Sequence, residues 1–257
     1  MTKLLVIGGG RMGQALVAGL LANAWKPEDI AIVEPVHARR EELRTRLAGV
    51  HVDGTAVAAD AAVIAVKPPD VEAACGHVDA KRVLSIAAGV PLAKLERWLS
   101  GVPVIRAMPN TPAQIGAGAS AIAAGTHASE DDLVWAETIL GAVGKVVRVP
   151  EKLLDAVTGL SGSGPAYVFL VAEALIDAGV HAGLPREIAD VLARQTLLGA
   201  AQLLEGGDSP EALRAAVTSP GGTTAAGLRV LEDRAVRAAF LEAVLAATER
   251  ARELGGT

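Results

Sequence analysis

The hydrophobic pattern divides the chain into two halves near residue 150. In the first half, short and uninterrupted apolar runs alternate with longer segments, which is typical of buried parallel strands joined by helices. In the second half the short runs stop, and apolar residues recur at helical spacing. The pattern predicts an α/β domain over residues 1–150 and an all-helical domain over residues 151–257.

Because strands and helices alternate as far as Val149, the first domain is predicted to be a doubly wound, mainly parallel sheet. The predicted strands cover residues 3–7, 30–33, 61–66, 82–86, 102–108, 120–124 and 145–149. The predicted helices cover residues 14–22, 129–140, 166–178, 185–205 and 233–254, with short helices from 37, 210 and 223.

Several predicted helices of the second half are apolar on nearly every side, as in Val168–Ala172. A small bundle cannot cover that much apolar surface by itself. We therefore expect a homodimer through these helices, since twofold dimers are the commonest closed assembly.

Three glycines follow the first predicted strand and precede a helix, as the G-x-G-x-x-G dinucleotide fingerprint requires. Gly8 permits the tight turn, Gly10 lets a pyrophosphate approach the backbone, and Gly13 lets the helix pack on the strand. The alternative interpretation is a plain turn between a strand and a helix.

Glu34 ends the second predicted strand, about 20 residues beyond the last of these glycines. A carboxylate at this point would accept hydrogen bonds from a ribose 2′-hydroxyl and repel a 2′-phosphate, which favours NADH. His37, Arg39 and Arg40 follow it and could pair with a 2′-phosphate, although surface cations are often simply solvated. The residues therefore leave NAD(H) and NADP(H) open.

A loop late in the chain, Ala216 to Leu228, suits a small carboxylate. Its two adjacent glycines follow a proline, and Thr223 and Thr224 then begin a helix whose first N–H groups have no partner. The alternative is an ordinary loop between helices with a threonine cap.

Charge and cysteine content exclude several classes. The net charge of −5 comes with dispersed basic residues, so no nucleic-acid partner is expected. Cys75 is the only cysteine, which excludes an internal disulfide and a multi-cysteine metal site. We expect no metal, no signal peptide and no membrane span, and hence a soluble cytoplasmic protein.

Five stretches together resemble the motifs of the pyrroline-5-carboxylate reductase family, in the same order along the chain. They are Gly8 to Gly13 with the following Gln-Ala-Leu, Ala65 to Pro68, Arg106 to Pro112, Asp155 to Tyr167, and Ala216 to Leu228. The resemblance implies a Rossmann-type dinucleotide-binding domain over 1–150 and a helical substrate-binding and dimerisation domain over 151–257. It also implies reduction of 1-pyrroline-5-carboxylate to L-proline with NADPH or NADH, the last step of proline biosynthesis, by a homodimer or a larger homo-oligomer built from dimers.

The residue patterns described above and the resemblance together give the candidate site residues. Those for the cofactor are Ile7, Gly8, Gly10, Arg11, Met12, Gly13, Glu34, Ala65, Val66, Lys67, Pro68, Ile86, Ala87, Ala88 and Asn110. Those for the substrate are Ser219, Gly221, Gly222, Thr223 and Thr224, with the Thr224 hydroxyl meeting the ring nitrogen as the catalytic group. Family members often carry a small hydroxyl residue near the position of Glu34 and commonly use NADPH, so Glu34 departs from the pattern.

Two other assignments are weaker on the sequence. A β-hydroxyacid dehydrogenase shares the two-domain plan but uses a catalytic lysine in the first long helix of its second domain. Lys152, the only lysine after Lys145, precedes that helix. A nucleotide-sensing or pyridoxal-phosphate-binding regulator without turnover would not require the Ser219 to Thr224 loop.

Overall fold

A single eight-stranded sheet forms the centre of the computed structural model, which describes residues 2–256. The strands are β1 (Thr2–Ile7), β2 (Ile30–Val33), β3 (His51–Asp53), β4 (Ala59–Ile64), β5 (Val83–Ser85), β6 (Val104–Met108), β7 (Gly118–Ala124) and β8 (Gly144–Arg148). Their order across the sheet is β3-β2-β1-β4-β5-β6-β7-β8. Neighbouring strands are parallel except β6 and β7, which pair antiparallel.

The helices follow the strands along the chain and then occupy its second half. They are α1 (Arg11–Ala22), α2 (His37–Arg46), α3 (Val71–Cys75), α4 (Leu92–Trp98), α5 (Glu130–Gly141), α6 (Leu154–Val157), α7 (Gly164–His181), α8 (Arg186–Glu205), α9 (Pro210–Ala216), α10 (Thr223–Asp233) and α11 (Val236–Gly255).

The central strands of the sheet are buried on both faces. Along β1, Leu4 and Val6 pack into one apolar cluster with Leu16 of α1, while Leu5 and Ile7 belong to the cluster on the other face. A strand covered on both sides has no polar face, which explains the uninterrupted apolar runs. The predicted doubly wound, mainly parallel sheet is confirmed.

The predicted elements agree with the structure except at a few places. The sequence analysis missed β3, α3 and α4, and it placed the start of the last helix at Asp233. Asp233 instead ends α10, and Ala235 has a φ of 56°, which a right-handed helix excludes. The predicted cap of α5 is confirmed, because Ser129 and Asp132 form a capping box.

The described chain divides into two compact units. The first unit runs to Ser163 and resumes at Leu245, whereas the second is Gly164–Val244. These limits differ from the predicted boundary at residue 150, because the segment that follows β8 and the end of α11 pack with the sheet unit. The last strand nevertheless ends at Arg148, one residue before the predicted end at Val149.

The second unit leaves much apolar surface exposed. Its small buried cluster is Ile176, Ala189 and Ala193. On α7, by contrast, Phe169 is 62% exposed and Leu170 is 64% exposed.

One helical run, Glu151–His181, has the length and composition to cross a membrane, with a mean hydropathy of 1.3 and only 11% of its apolar window buried. The run meets this test by length and composition only, so the expected absence of a membrane span stays a prediction. A single run of this kind is weak evidence for a membrane span, because helices at protein interfaces have the same composition.

Candidate active site

Within the first unit, a cleft lies at the carboxyl ends of β1, β4 and β5. The strand order reverses direction between β1 and β4, and open α/β sheets bind ligands at such a switch point. The Ala65 N–H donates to the Ile7 carbonyl at 2.8 Å, and the Ile86 N–H donates to the Ile64 carbonyl at 3.0 Å. The chain therefore brings together the glycine turn, the segment from Ala65 to Pro68 and the segment from Ile86 to Ala88.

The glycine turn has the shape that a dinucleotide requires. Gly8 has a φ of +110°, and a side chain there would meet the Ala65 carbonyl oxygen at 2.7 Å. A Cβ on Gly13 would lie 2.2 Å from the Gly8 carbonyl oxygen, so α1 packs against the turn only with glycine at this position.

Gly10, at the start of α1, faces open space instead, since a Cβ there would meet nothing within 4 Å. Among the described residues no side chain caps α1. The free N–H groups of its first turn can therefore receive an anion, and the cradle fits a pyrophosphate.

Glu34 lies beside this turn and is buried. Its carboxylate accepts hydrogen bonds from the Gly9 N–H at 3.2 Å and from the Val36 N–H at 3.0 Å. The guanidinium of Arg39 lies 3.5 Å from the same carboxylate. Glu34 therefore occupies the predicted position at the end of β2, with its side chain directed toward the glycine turn.

The remaining predicted cofactor residues differ in exposure. Arg11 and Lys67 are exposed, while Met12 and Val66 are half-buried. Asn110 uses its amide within the protein: its Nδ2 donates to the Ser161 carbonyl at 3.0 Å, and its Oδ1 accepts from the Ala119 N–H at 2.8 Å. A cofactor contact by Asn110 stays a prediction.

Sequence reasoning missed two side chains that fix these segments. Gln14 donates from Nε2 to the Gly9 carbonyl at 2.9 Å and so holds the glycine turn. Glu151 accepts from the Leu92 N–H at 2.7 Å and from Arg106 at 2.9 Å. A polar residue in the apolar first turns of α1 was a signal for Gln14, whereas the partners of Glu151 lie 59 and 45 residues away in sequence.

The loop before α10, which belongs to the second unit, contains the predicted substrate residues. Gly221 has a φ of +71°, and Gly222 forms the N-cap of α10 in extended backbone. The Gly222 N–H donates to the Ser219 carbonyl at 3.0 Å, which closes the turn. Thr223 and Thr224 are exposed in the first turn of α10, as predicted.

Comparison with known proteins places this geometry in a family. Residues 151–254 match the family model for pyrroline-5-carboxylate reductase dimerisation, and residues 3–89 match the model for coenzyme F420-dependent NADP oxidoreductase. The pyrroline-5-carboxylate reductase of Synechocystis sp. is 48% identical, with 98% of each chain covered. The chain belongs to the pyrroline-5-carboxylate reductase family.

Solved structures of this family have the same fold. The pyrroline-5-carboxylate reductase of Coxiella burnetii is 39% identical, with a TM-score of 0.93 and 98% of each chain covered. The pyrroline carboxylate reductase of Plasmodium falciparum, solved with NADP bound, is 31% identical, with a TM-score of 0.83 over 99% of this chain and 98% of that one. The resemblance seen in the motifs is thus confirmed. The family assignment is therefore pyrroline-5-carboxylate reductase, rather than a β-hydroxyacid dehydrogenase or a regulator without turnover.

In this reductase-family chain the only cysteine is an unreactive group. Cys75 is buried on α3, and its burial raises the pKa of the thiol to about 11. Within residues 2–256, no three His, Cys, Asp or Glu side chains come together as a set that could hold a metal ion.

Proposed function

We propose that this chain reduces 1-pyrroline-5-carboxylate to L-proline with NADH or NADPH, the last step of proline biosynthesis. The observation that carries the proposal is the uncapped helix start at Gly222 to Thr224. This chain, a member of the reductase family, also has the dinucleotide cradle. A dinucleotide fold alone would not select a substrate, whereas this loop has the chemistry for a small carboxylate.

The dinucleotide would lie along the cleft of the first unit. The N–H groups at the start of α1 would hold its pyrophosphate, and the strand-end segments Ala65 to Pro68 and Ile86 to Ala88 would line the remainder. When bound, the reduced nicotinamide supplies a hydride to C5 of the cyclic imine. The protein's task is then to position the substrate and exclude water.

The loop before α10 would hold the substrate. Because the Gly222 N–H is already bonded to Ser219, we assign the carboxylate to the N–H groups of Thr223 and Thr224. These groups carry the positive end of the α10 dipole, which favours an anion. The Thr224 hydroxyl orients the ring nitrogen as that nitrogen becomes the amine of proline.

A homodimer of this chain is part of the proposal. The family match to a dimerisation model and the exposed apolar side chains of Gly164–Val244 support it. A second copy would also cover the run Glu151–His181 without a membrane. Larger assemblies would be built from such dimers, and the buried thiol of Cys75 suits a reducing cytoplasm.

The test is to mix the purified protein with pyrroline-5-carboxylate and to follow oxidation of NADPH and NADH separately under matched conditions. We expect oxidation that requires both the protein and the imine, with L-proline as the product. Folded, dimeric protein that oxidises neither dinucleotide would contradict the substrate assignment and leave the fold unaffected.

A further inference from the structure

We propose that Glu34 makes NADH, rather than NADPH, the preferred dinucleotide of this chain. The inference rests on the proposed function and deepens it, since it names the dinucleotide that the same cleft takes. It concerns the side chain at residue 34 of this protein and is not a property of the whole family.

The backbone fixes Glu34 at the edge of the cleft. The Glu34 N–H donates to the Asp53 carbonyl at 2.9 Å, and the neighbouring Gly8 N–H donates to the Val33 carbonyl at 2.9 Å. The residue is thus held between the end of β3 and the glycine turn after β1. In dinucleotide folds of this strand order, the residue at the end of β2 meets the adenosine ribose.

The carboxylate is fixed as firmly as the backbone. One oxygen accepts from Gly9 and the other from Val36, and the side chain is only 3% exposed. To turn away from a bound ribose, it would have to give up its bond to Val36 and leave the buried Gly9 N–H without a partner, which is costly. The negative charge therefore stays at the ribose end of the cleft.

The two nearby arginines already contact Glu34 or the residue that follows it. Arg40 donates from Nη1 to the carbonyls of Glu34 at 2.9 Å and Pro35 at 2.8 Å, so its guanidinium holds the loop after β2. Arg39 lies against the Glu34 carboxylate. At the N-terminus of α2, the Glu34 carboxylate accepts the N–H of the N-cap residue Val36 and so places its negative charge beside the helix start, which opposes binding of a phosphate there.

A 2′-hydroxyl and a 2′-phosphate meet this arrangement differently. The hydroxyl can donate a hydrogen bond to the Glu34 carboxylate, whereas the phosphate offers only acceptors and brings additional negative charge. Like charges at contact distance in a poorly solvated site repel strongly. The cleft therefore accepts the ribose of NADH and rejects that of NADPH.

The experiment measures binding of NADH and NADPH without any imine, from the change in fluorescence of the reduced nicotinamide. For the unaltered protein we expect a Kd for NADH that is at least about 10-fold lower than the Kd for NADPH. Glu34→Gln keeps the size of the side chain and should reduce that ratio at least about 10-fold, chiefly by tighter NADPH binding. Glu41→Gln, which removes the same charge from an exposed position on α2, should leave the ratio unchanged.

A second variant tests the role of the arginine. In Glu34→Gln, Arg39 is released from the carboxylate and can pair with a 2′-phosphate, so adding Arg39→Ala should abolish the gain in NADPH affinity. Equal or tighter binding of NADPH by the unaltered protein would overturn the inference, even if a variant failed to fold. An unchanged ratio in folded Glu34→Gln would overturn it as well.

These outcomes are separate from those of the substrate assay. Tighter binding of NADH than of NADPH, without reduction of pyrroline-5-carboxylate, would contradict the proposed function and support this inference. Reduction that is faster with NADPH, together with tighter binding of NADPH, would support the proposed function and overturn this inference.

Discussion

Thr224 has a hydroxyl in the first turn of α10 that the proposed reaction uses directly. Thr224→Ala should lower kcat at least about 5-fold, because the loss of one hydrogen bond to the reacting nitrogen costs about 1 kcal/mol or more. Thr224→Ser keeps a hydroxyl and should retain most of the rate. Steady-state kinetics with pyrroline-5-carboxylate checks both variants, and full turnover by Thr224→Ala would remove the assigned role.

Two glycines of the same turn should respond differently to an added methyl group. Gly13→Ala places Cβ against the Gly8 carbonyl oxygen and should lower the free energy of unfolding by about 1–3 kcal/mol. Gly10→Ala meets open space in extended backbone, so it should fold normally. It should nevertheless weaken dinucleotide binding, because its methyl group blocks the approach of the pyrophosphate.

Urea unfolding and a fluorescence titration with NADH and NADPH separate these two effects. Wild-type dinucleotide affinity in Gly10→Ala would show that the pyrophosphate does not approach the start of α1. An unchanged midpoint of unfolding in Gly13→Ala would show that α1 can move away from the turn at no cost.

At the scale of elements, the Asn110 side chain joins two segments that are distant in sequence. Its amide bonds the Ala119 N–H at the start of β7 and the Ser161 carbonyl in the π-helical turn Thr158–Gly162. Such turns inside helices are frequent at functional sites. Asn110 thus positions this turn relative to the sheet, within the first unit.

Asn110→Ala should lower the free energy of unfolding by about 1–3 kcal/mol, since both half-buried backbone partners lose their hydrogen bonds. The control is Thr138→Ala, because the exposed Thr138 hydroxyl donates to the Val134 carbonyl at 2.9 Å within its own helix. That variant should change stability by no more than about 0.5 kcal/mol. Urea denaturation measures both, and equal effects would refute the positioning role of Asn110.

At the scale of the whole molecule, the exposed apolar face of α7 carries the proposed dimer. Leu170 is 64% exposed in the single chain, and the partner of the proposed dimer would bury it. Leu170→Glu puts a negative charge at this position. Burying an unpaired carboxylate is costly, so the variant should be monomeric at concentrations where the unaltered protein is a dimer.

Val134→Glu is the matched control, because Val134 on α5 is also exposed and lies outside the dimerisation match at 151–254. It should remain dimeric. Sedimentation velocity gives the assembly state, and circular dichroism shows that each variant is folded. A folded Leu170→Glu that sediments as a dimer would place the interface elsewhere.

The sequence by itself determined the fold class, the extent of β2 and most long helices, because these depend on local spacing and capping. It also determined the family, through motifs that are each contiguous along the chain. It missed β3, α3 and α4, since a three-residue strand and helices of five and seven residues carry little periodic signal.

Only the tertiary structure decided which distant groups meet. The antiparallel pairing of β6 and β7 follows from how the chain returns to the sheet, and Asn110 meets Ser161 across 51 residues. The position of Glu34 was predicted from its spacing, but only the tertiary structure shows that its carboxylate accepts hydrogen bonds from Gly9 and Val36. Local propensity acts between neighbours in sequence, whereas these contacts depend on packing of the complete sheet, and that is the physical reason for the difference.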